Sequence, residues 1–434
     1  MSPEITGIVG ICVLLLLFVI RVPVAFAMVI VGLAGFAYLS SPGPALSVLA
    51  RDIFDQFRSY PLTVIPMFIL MGSFAYASGI SRRLFDSTYV WVGQYRGGLT
   101  MATVLACSGF AAVCGSTAAT AATMGKVALP EMKRYNYNDS LATGTVAAAG
   151  TLGILIPPST VLIVYAYMTE ASLGKLFIAG IIPGIILSLF FLVTVFIICR
   201  RHPTFGPPGA VTTWIKKLSS LKGIIETVVL FALVIGGLFL GWFSPTQAGA
   251  IGSIGALLIG LGRRELNWQR FVVASKDGLR TSCMVIFIIT GAIVFGHFMA
   301  VSRIPFILVD WMEGLALPMM GIVGIIVIIF FVGGFFMDSM ALIVLLIPIF
   351  FPLIDSVGVD LIWFGVIVVL VAEMGVITPP VGVNVFVIKG IAPDIPIETI
   401  FKGIFPFLIA LIICTIILMA FPQIATFLPG FATY

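Results

Sequence analysis

Charge is what this sequence has least of. Only 9% of its 434 residues are Asp, Glu, Lys or Arg, against 60% hydrophobic, and so few polar side chains cannot cover a soluble globule of this size. There are 2 histidines, which leaves little for imidazole catalysis or a metal cluster. The six cysteines, Cys12, Cys107, Cys114, Cys199, Cys283 and Cys414, lie in or beside apolar runs without metal-ligand spacing, and read as small packing residues. Strict apolar–polar alternation is absent, which excludes a membrane β-barrel. Basic residues are scattered over short loops, so the net charge of +5 implies no nucleic-acid surface. The first apolar run, 5–20, follows Glu4 rather than a basic stretch and meets Arg21 with no small-residue cleavage site. It reads as a retained span, not a signal peptide.

What fills the chain is apolar sequence, with a mean hydropathy of +1.20. Runs long enough to cross roughly 30 Å of hydrocarbon as helix recur throughout, which predicts an all-α polytopic membrane protein. Crossings are expected at 5–20, 22–40, 60–79, 140–168 and 176–198, and, after a polar linker, at 224–242, 246–262, 281–300, 361–390 and 400–420. Each half also holds a segment too long for one span, 98–131 and 318–353, interrupted by Cys114-Gly-Ser-Thr117 and by Phe336-Met-Asp-Ser339. Each reads as a helical hairpin that enters and leaves on one side.

Two of the crossings are broken. Gly153-Ile-Leu-Ile-Pro-Pro-Ser-Thr160 and Gly375-Val-Ile-Thr-Pro-Pro-Val-Gly382 each place a proline pair in mid-membrane. Proline has no N–H, so the carbonyls of Gly153 and Ile154, and of Gly375 and Val376, lose their helical donors. An unpaired carbonyl in hydrocarbon costs several kcal/mol, so such breaks persist only where protein, water or an ion re-satisfies them. Two breaks placed alike in two halves are the mark of a transporter site.

The halves are repeats. An offset of 222 residues carries Pro130, Pro157 and Pro158 onto Pro352, Pro379 and Pro380, and an offset of 223 carries Gly180 and Pro183 onto Gly403 and Pro406. The expected organisation is a first repeat at 1–199, a cytoplasmic linker at 200–223 and a second repeat at 224–434. Five crossings per repeat, about ten in all, make the two inverted, with the broken sites facing each other at the midplane. Basic residues agree: Arg21, Arg82, Arg83, Arg96, Lys133, Arg134, the 200–222 cluster and the 263–280 cluster all fall on one side, while the other keeps Arg51, Arg58, Lys175 and Arg303. That asymmetry places the first side in the cytoplasm and the N-terminus outside. Ser41 to Ser59 and Arg263 to Arg280 read as matching amphipathic segments at the interface.

The polar residues at membrane depth carry the chemistry. Gly115, Ser116 and Thr117 at the first tip, with the carbonyls of Gly153 and Ile154, offer oxygen ligands for one Na⁺, and the small residues after them let the arms approach. The tip carries no carboxylate, which favours Na⁺ over a proton as coupling ion. At the second tip, Gly334, Asp338 and Ser339, with Gly375 and Thr378, form a second candidate Na⁺ set; Asp338 is equally suited to titrate or to cap the returning arm. Ser116, Thr117, Asn384 and Arg303 are the candidate substrate residues, Arg303 because a guanidinium grips a carboxylate bidentately. Glu373, two residues before the second break, either pairs with a cation or faces water. His297 and Lys126 read as a packing residue and a snorkelling one.

With Gly115-Ser-Thr, Asp338-Ser339 and Gly375-Val-Ile-Thr-Pro-Pro-Val-Gly-Val-Asn-Val-Phe386 in view, the chain resembles the large membrane subunit of tripartite ATP-independent periplasmic (TRAP) transporters, the DctM-like family. The likeness runs over nearly the whole chain. It implies an elevator-type, Na⁺-coupled importer of an organic acid, such as a C4-dicarboxylate or sialic acid, in the bacterial inner membrane. It also implies a smaller membrane subunit, expected here as a separate polypeptide because the chain begins at once with the first span, and a periplasmic binding protein that delivers substrate. The family's ion-site role carries over to Gly115, Ser116, Thr117, Gly153, Gly375 and Asp338. The competing reading is an intramembrane enzyme using Asp338 or Ser116, for which neither a second aspartate nor a Ser/His pattern is found. A channel has no ring-forming filter here.

Overall fold

A computed structural model describes residues 1–314 and 317–432. All regular structure among them is helical: α1 (Pro3–Val19), α2 (Val24–Leu39), α3 (Pro42–Arg58), α4 (Val64–Ala77), α5 (Ile80–Val92), α6 (Gly98–Cys114), α7 (Thr117–Arg134), α8 (Asp139–Leu155), α9 (Thr160–Thr169) and α10 (Leu173–Arg201) come before the linker. After it come α11 (Trp214–Ser220), α12 (Ile225–Phe239), α13 (Pro245–Gly262), α14 (Trp268–Ser302), α15 (Ile304–Gly314), α16 (Met319–Gly334), α17 (Ser339–Ser356), α18 (Leu361–Ile377), α19 (Val383–Ile391), α20 (Ile397–Ala420) and α21 (Gln423–Thr426).

Helix starts follow from local polar chemistry. The side chains of Ser116, Asn138, Ser159, Ser172, Asn267, Asp338 and Asp360 each accept from a backbone N–H in the first turn of the helix they open, which satisfies donors that hydrocarbon would leave unpaired. Both expected hairpins form, as α6–α7 and α16–α17, and both broken spans form, as α8–α9 and α18–α19. The peptide bonds between Pro157 and Pro158 and between Pro379 and Pro380 are cis.

By length and composition, six of the described helices are able to cross a membrane, counting 139–169 as one, or eight if each of two bent pairs is a span. The other apolar helices, at 3–19, 24–39, 98–114, 319–334 and 361–377, are shorter.

Two readings of the sequence change. The stretch 263–280 is not a separate interfacial helix: from Trp268 it runs without interruption to Ser302, as 35 residues of α14. In the first half, Pro61 lies in the joint and α3 bends by 58° from the helix that follows; no proline occurs between 268 and 302, so nothing there removes a backbone donor. The segments 80–92 and 304–314 are helices rather than simple loops. In α5, Ile80, Leu84 and Phe85 are buried beside Arg82 and Arg83, so its charges hide it from a search for apolar runs.

Packing between the halves is reciprocal. The second helix of one lies on the third of the other, as α2 on α14 and α13 on α4, and the returning hairpin arm of one lies on the short broken piece of the other, as α17 on α9 and α7 on α19. At the centre, α8 packs on α20 and α18, and α10 on α20 and α18. α8 and α20 meet backbone to backbone: a Cβ on Gly144 would strike Gly403, and one on Gly403 would strike the Ser140 carbonyl. Such contact needs glycine, as is common where membrane helices associate by close packing.

Gly403→Leu is therefore expected to cost about 1–3 kcal/mol through overpacking, read as a lower apparent Tm of the purified protein in detergent. An unchanged Tm would show that α8 and α20 do not approach in this way.

Candidate functional site

The two hairpin tips lie at one cavity. It has a volume of about 990 Å³, and its wall includes Ser116 and Thr117 from the first tip, Asp338 and Ser339 from the second, and Ile154, Thr160 and Val376 from the broken spans. The opposite wall comes from α2, α4 and α14, with Ser73, Tyr76, Asp277 and Thr281 as its polar members. No Lys, Arg or His occurs among the lining residues.

The first tip is seated on the first break. Gly115, in a left-handed conformation with φ of 67°, turns the chain where a side chain would be strained, and its carbonyl accepts from Thr160 N at 3.3 Å and Thr160 Oγ1 at 2.9 Å. Ser116 caps α7, accepting from Ala119 N at 3.4 Å, while its carbonyl accepts from Thr120 Oγ1 at 2.8 Å. Gly153 has no room for a side chain, since a Cβ there would lie 2.5 Å from the Ser116 carbonyl oxygen. Gly115, Ser116 and Gly153 are thus brought together, and Ile154 reaches the cavity wall beside them.

The second tip repeats the plan with different chemistry. Asp338 caps α17, its Oδ1 accepting from Met340 N at 2.8 Å and Ala341 N at 3.0 Å, and its side chain is exposed to the cavity. Capping and lining are thus one residue's combined role. Gly334 and Gly375 touch, with a Cβ on Gly334 falling 2.9 Å from Gly375 Cα. The Phe335 carbonyl accepts from Val381 N, just past the proline pair, at 3.3 Å, as the Gly115 carbonyl accepts from Thr160. Around the second break the backbone partly repairs itself: the Gly375 carbonyl accepts from Thr378 N at 3.2 Å, and Thr378 Oγ1 donates to the Met374 carbonyl at 2.5 Å.

Two of the substrate candidates lie elsewhere. Asn384 is fully buried, its Nδ2 donating to the Ala147 carbonyl of α8 at 3.0 Å, because it follows Val383, whose side chain takes the cavity-facing position. Arg303 caps the C-terminus of α14 in a left-handed conformation, exposed and neighbouring Glu4, outside the cavity wall. His297, read as a packing residue, pairs through Nε2 with Asp52 Oδ2 at 3.2 Å and so ties α3 to α14.

Sequence reasoning missed the polar wall of α14. Ala274, Asp277, Thr281, Met284 and Ile288 all line the cavity, at the three- and four-residue spacing of one helix face; that stripe was the available signal, masked by the basic residues around it. Chemically, the site offers carbonyls, hydroxyls and two carboxylates, a donor set for a hard monovalent or divalent cation. It also offers the amino-terminal ends of α7, α9, α17 and α19, which favour an anion.

In a background with Cys114 and Cys283 replaced by Ala, Ser116→Cys and Met340→Cys should react with a small maleimide at least tenfold faster than Asn384→Cys, as followed by mass spectrometry. Equal rates would show that Asn384 faces the cavity after all.

Residues 11–424 match the model of the tripartite ATP-independent periplasmic transporter, DctM component. Over 395 residues, 90% of this chain and 91% of the other, the sequence is 37% identical to the C4-dicarboxylate TRAP transporter large permease protein DctM of Pseudomonas aeruginosa. Over 409 residues, 94% of each chain, it is 31% identical to the sialic acid TRAP transporter large permease protein of Vibrio cholerae. The crystal structure of the Alcanivorax borkumensis YdaH transporter shares the fold, with a TM-score of 0.61 over 87% of this chain and 88% of that one, at 16% identity.

Proposed function

The chain belongs to the DctM family of TRAP transporter large permease subunits, and we propose that it imports an organic acid together with Na⁺ by an elevator motion. The observation that carries this reading is the single cavity shared by both hairpin tips. The substrate class is that of carboxylates such as a C4-dicarboxylate or sialic acid, in keeping with the names of its relatives. A substrate carboxylate would be held by the amino-terminal ends of α7, α9 and α17 and by bound Na⁺, since the wall carries no basic side chain. Arg303 drops out of that role.

The first Na⁺ is assigned to Gly115, Ser116, Gly153 and Ile154. The second goes to Gly334, Asp338, Ser339, Gly375 and Thr378. Na⁺ at these places adds a partner for carbonyls that the proline pairs deprive of their helical donors, the Gly375 carbonyl keeping only the local Thr378 N–H, and it fixes the tips in the form that binds substrate. An unliganded tip would carry unpaired polar groups through an apolar surround, which disfavours movement without both ligands. That is the physical content of coupling.

The repeats are read as inverted, on the strength of the 222-residue offset and the reciprocal packing of the two halves. The mobile unit comprises the hairpins and broken spans, and α2, α4, α13 and α14 belong to the scaffold. On this topology the scaffold residues Pro23, Tyr76 and Asp277 stand at the basic, cytoplasmic ends of their helices, so the cavity is open inward. A small membrane subunit and a periplasmic binding protein complete the assembly, in the inner membrane.

The test is uptake of labelled organic acids into proteoliposomes holding this chain, its small subunit and the binding protein. Accumulation should require an inward Na⁺ gradient and fall at least tenfold in Asp338→Ala. Accumulation that ignores Na⁺ and follows a proton gradient would overturn the ion assignment.

A further inference from the structure

One ionisable side chain is used by none of this. Glu373 lies in α18 with no exposed surface, outside the cavity wall, and neither of its carboxyl oxygens has a hydrogen bond of ordinary geometry among the described residues. No ion pair found among those residues includes it. Its polar neighbours are Thr151 of α8 and Cys414 of α20. The Thr151 hydroxyl, the donor beside Glu373, also lies 2.7 Å from the Ala148 carbonyl, so one hydroxyl proton is shared between a carbonyl and a carboxyl.

The repeat explains the meeting. The 222-residue offset that carries Pro157 onto Pro379 also carries Thr151 onto Glu373. The two are equivalent positions, one in each half, brought together where α8 packs on α18. Each stands three residues before a cavity-lining position, Ile154 or Val376, so the pair lies beneath the cavity and between the two breaks. One half supplies a hydroxyl and the other a carboxyl. A further buried acceptor without a donor, Asn384 Oδ1, belongs to a side chain anchored on Ala147, one turn before Thr151.

Acceptors that outnumber their donors in an apolar interior are suited to a cation in chemical terms. A carboxyl removed from water either stays neutral as the acid or is matched by positive charge, and oxygen donors of this kind suit a hard ion. A single proton would join only two of the oxygens, whereas a metal ion engages the carboxylate and the hydroxyl together. We propose that Glu373 and Thr151 hold a Na⁺ ion in a site distinct from those at the two hairpin tips. The site rests on the Na⁺-coupled reading above and adds one ion to it, positioned to sense both breaks at once.

The test counts bound ions without any transport, by equilibrium dialysis of the purified protein against ²²Na⁺. Glu373→Gln should bind one Na⁺ fewer than wild type, while Ser116→Ala and Asp338→Asn keep the ion at Glu373. The exchanged pair, Thr151→Glu with Glu373→Thr, should restore the wild-type count, because the oxygens are returned from the opposite helices. That outcome is not expected of a carboxyl with a merely structural role. If Glu373→Gln is too unstable to purify, the exchanged pair decides: a full count supports the site and a deficit overturns it. An unchanged count in Glu373→Gln overturns this site and leaves the tip sites standing. A wild type that binds no Na⁺ overturns both.

Discussion

Everything in this fold answers to one constraint: backbone carbonyls in an apolar surround must find a partner. The proline pairs at 157–158 and 379–380 remove donors in the middle of two spans, and past each pair the chain presents free N–H or hydroxyl donors on which the hairpin tips dock. Gly115 docks its carbonyl on Thr160, and Phe335 docks its carbonyl on Val381. Without the breaks the tips would have nothing polar to bind. Without the tips the breaks would be expensive defects. The tip carbonyls find their donors past the breaks, and the glycines at 153, 334 and 375 matter because they let backbones come within contact.

The two halves share a plan and differ in chemistry. Ser116 and Asp338 cap equivalent returning arms, and Thr151 and Glu373 occupy equivalent places on α8 and α18. In each case a neutral oxygen in the first half corresponds to a carboxyl in the second. A repeat that were chemically symmetric would offer two similar ion sites. This one concentrates negative charge in its second half, which fits a protein proposed to use several cations for one anionic solute. No basic residue is among those lining the cavity, so in the proposed function a substrate anion is left to helix ends and bound ions.

The opposite wall of the cavity is built differently. α2 with α14, and α13 with α4, pair across the halves, and α14 runs unbroken for 35 residues where the first half has a bend. The polar stripe on α14 gives the cavity a wall that belongs to no repeat motif. Asp277 and Thr281 line the cavity from this unbroken helix, while beside the tips the broken spans end in the short helices α9 and α19 after their proline pairs.

Composition and periodicity by themselves determined that the chain is a helical membrane protein. The proline offset marked where each half has its chain breaks, which the structure shows as helix interruptions at 115–116, 156–159, 335–338 and 378–382, because proline and glycine act on the backbone locally and leave their mark in the sequence. The tip residues Ser116, Thr117, Asp338 and Ser339 were legible for the same reason. Which of the remaining polar residues face the cavity was not. Asn384 and Arg303 looked as suitable as Ser116, yet one is buried on α8 and the other caps α14 away from the cavity, and Asp277 was passed over. Side-chain direction depends on helix rotation, which is set by packing against partners more than a hundred residues away in the chain. The tertiary structure alone decided that both tips share one cavity, and that Glu373 lies buried against Thr151.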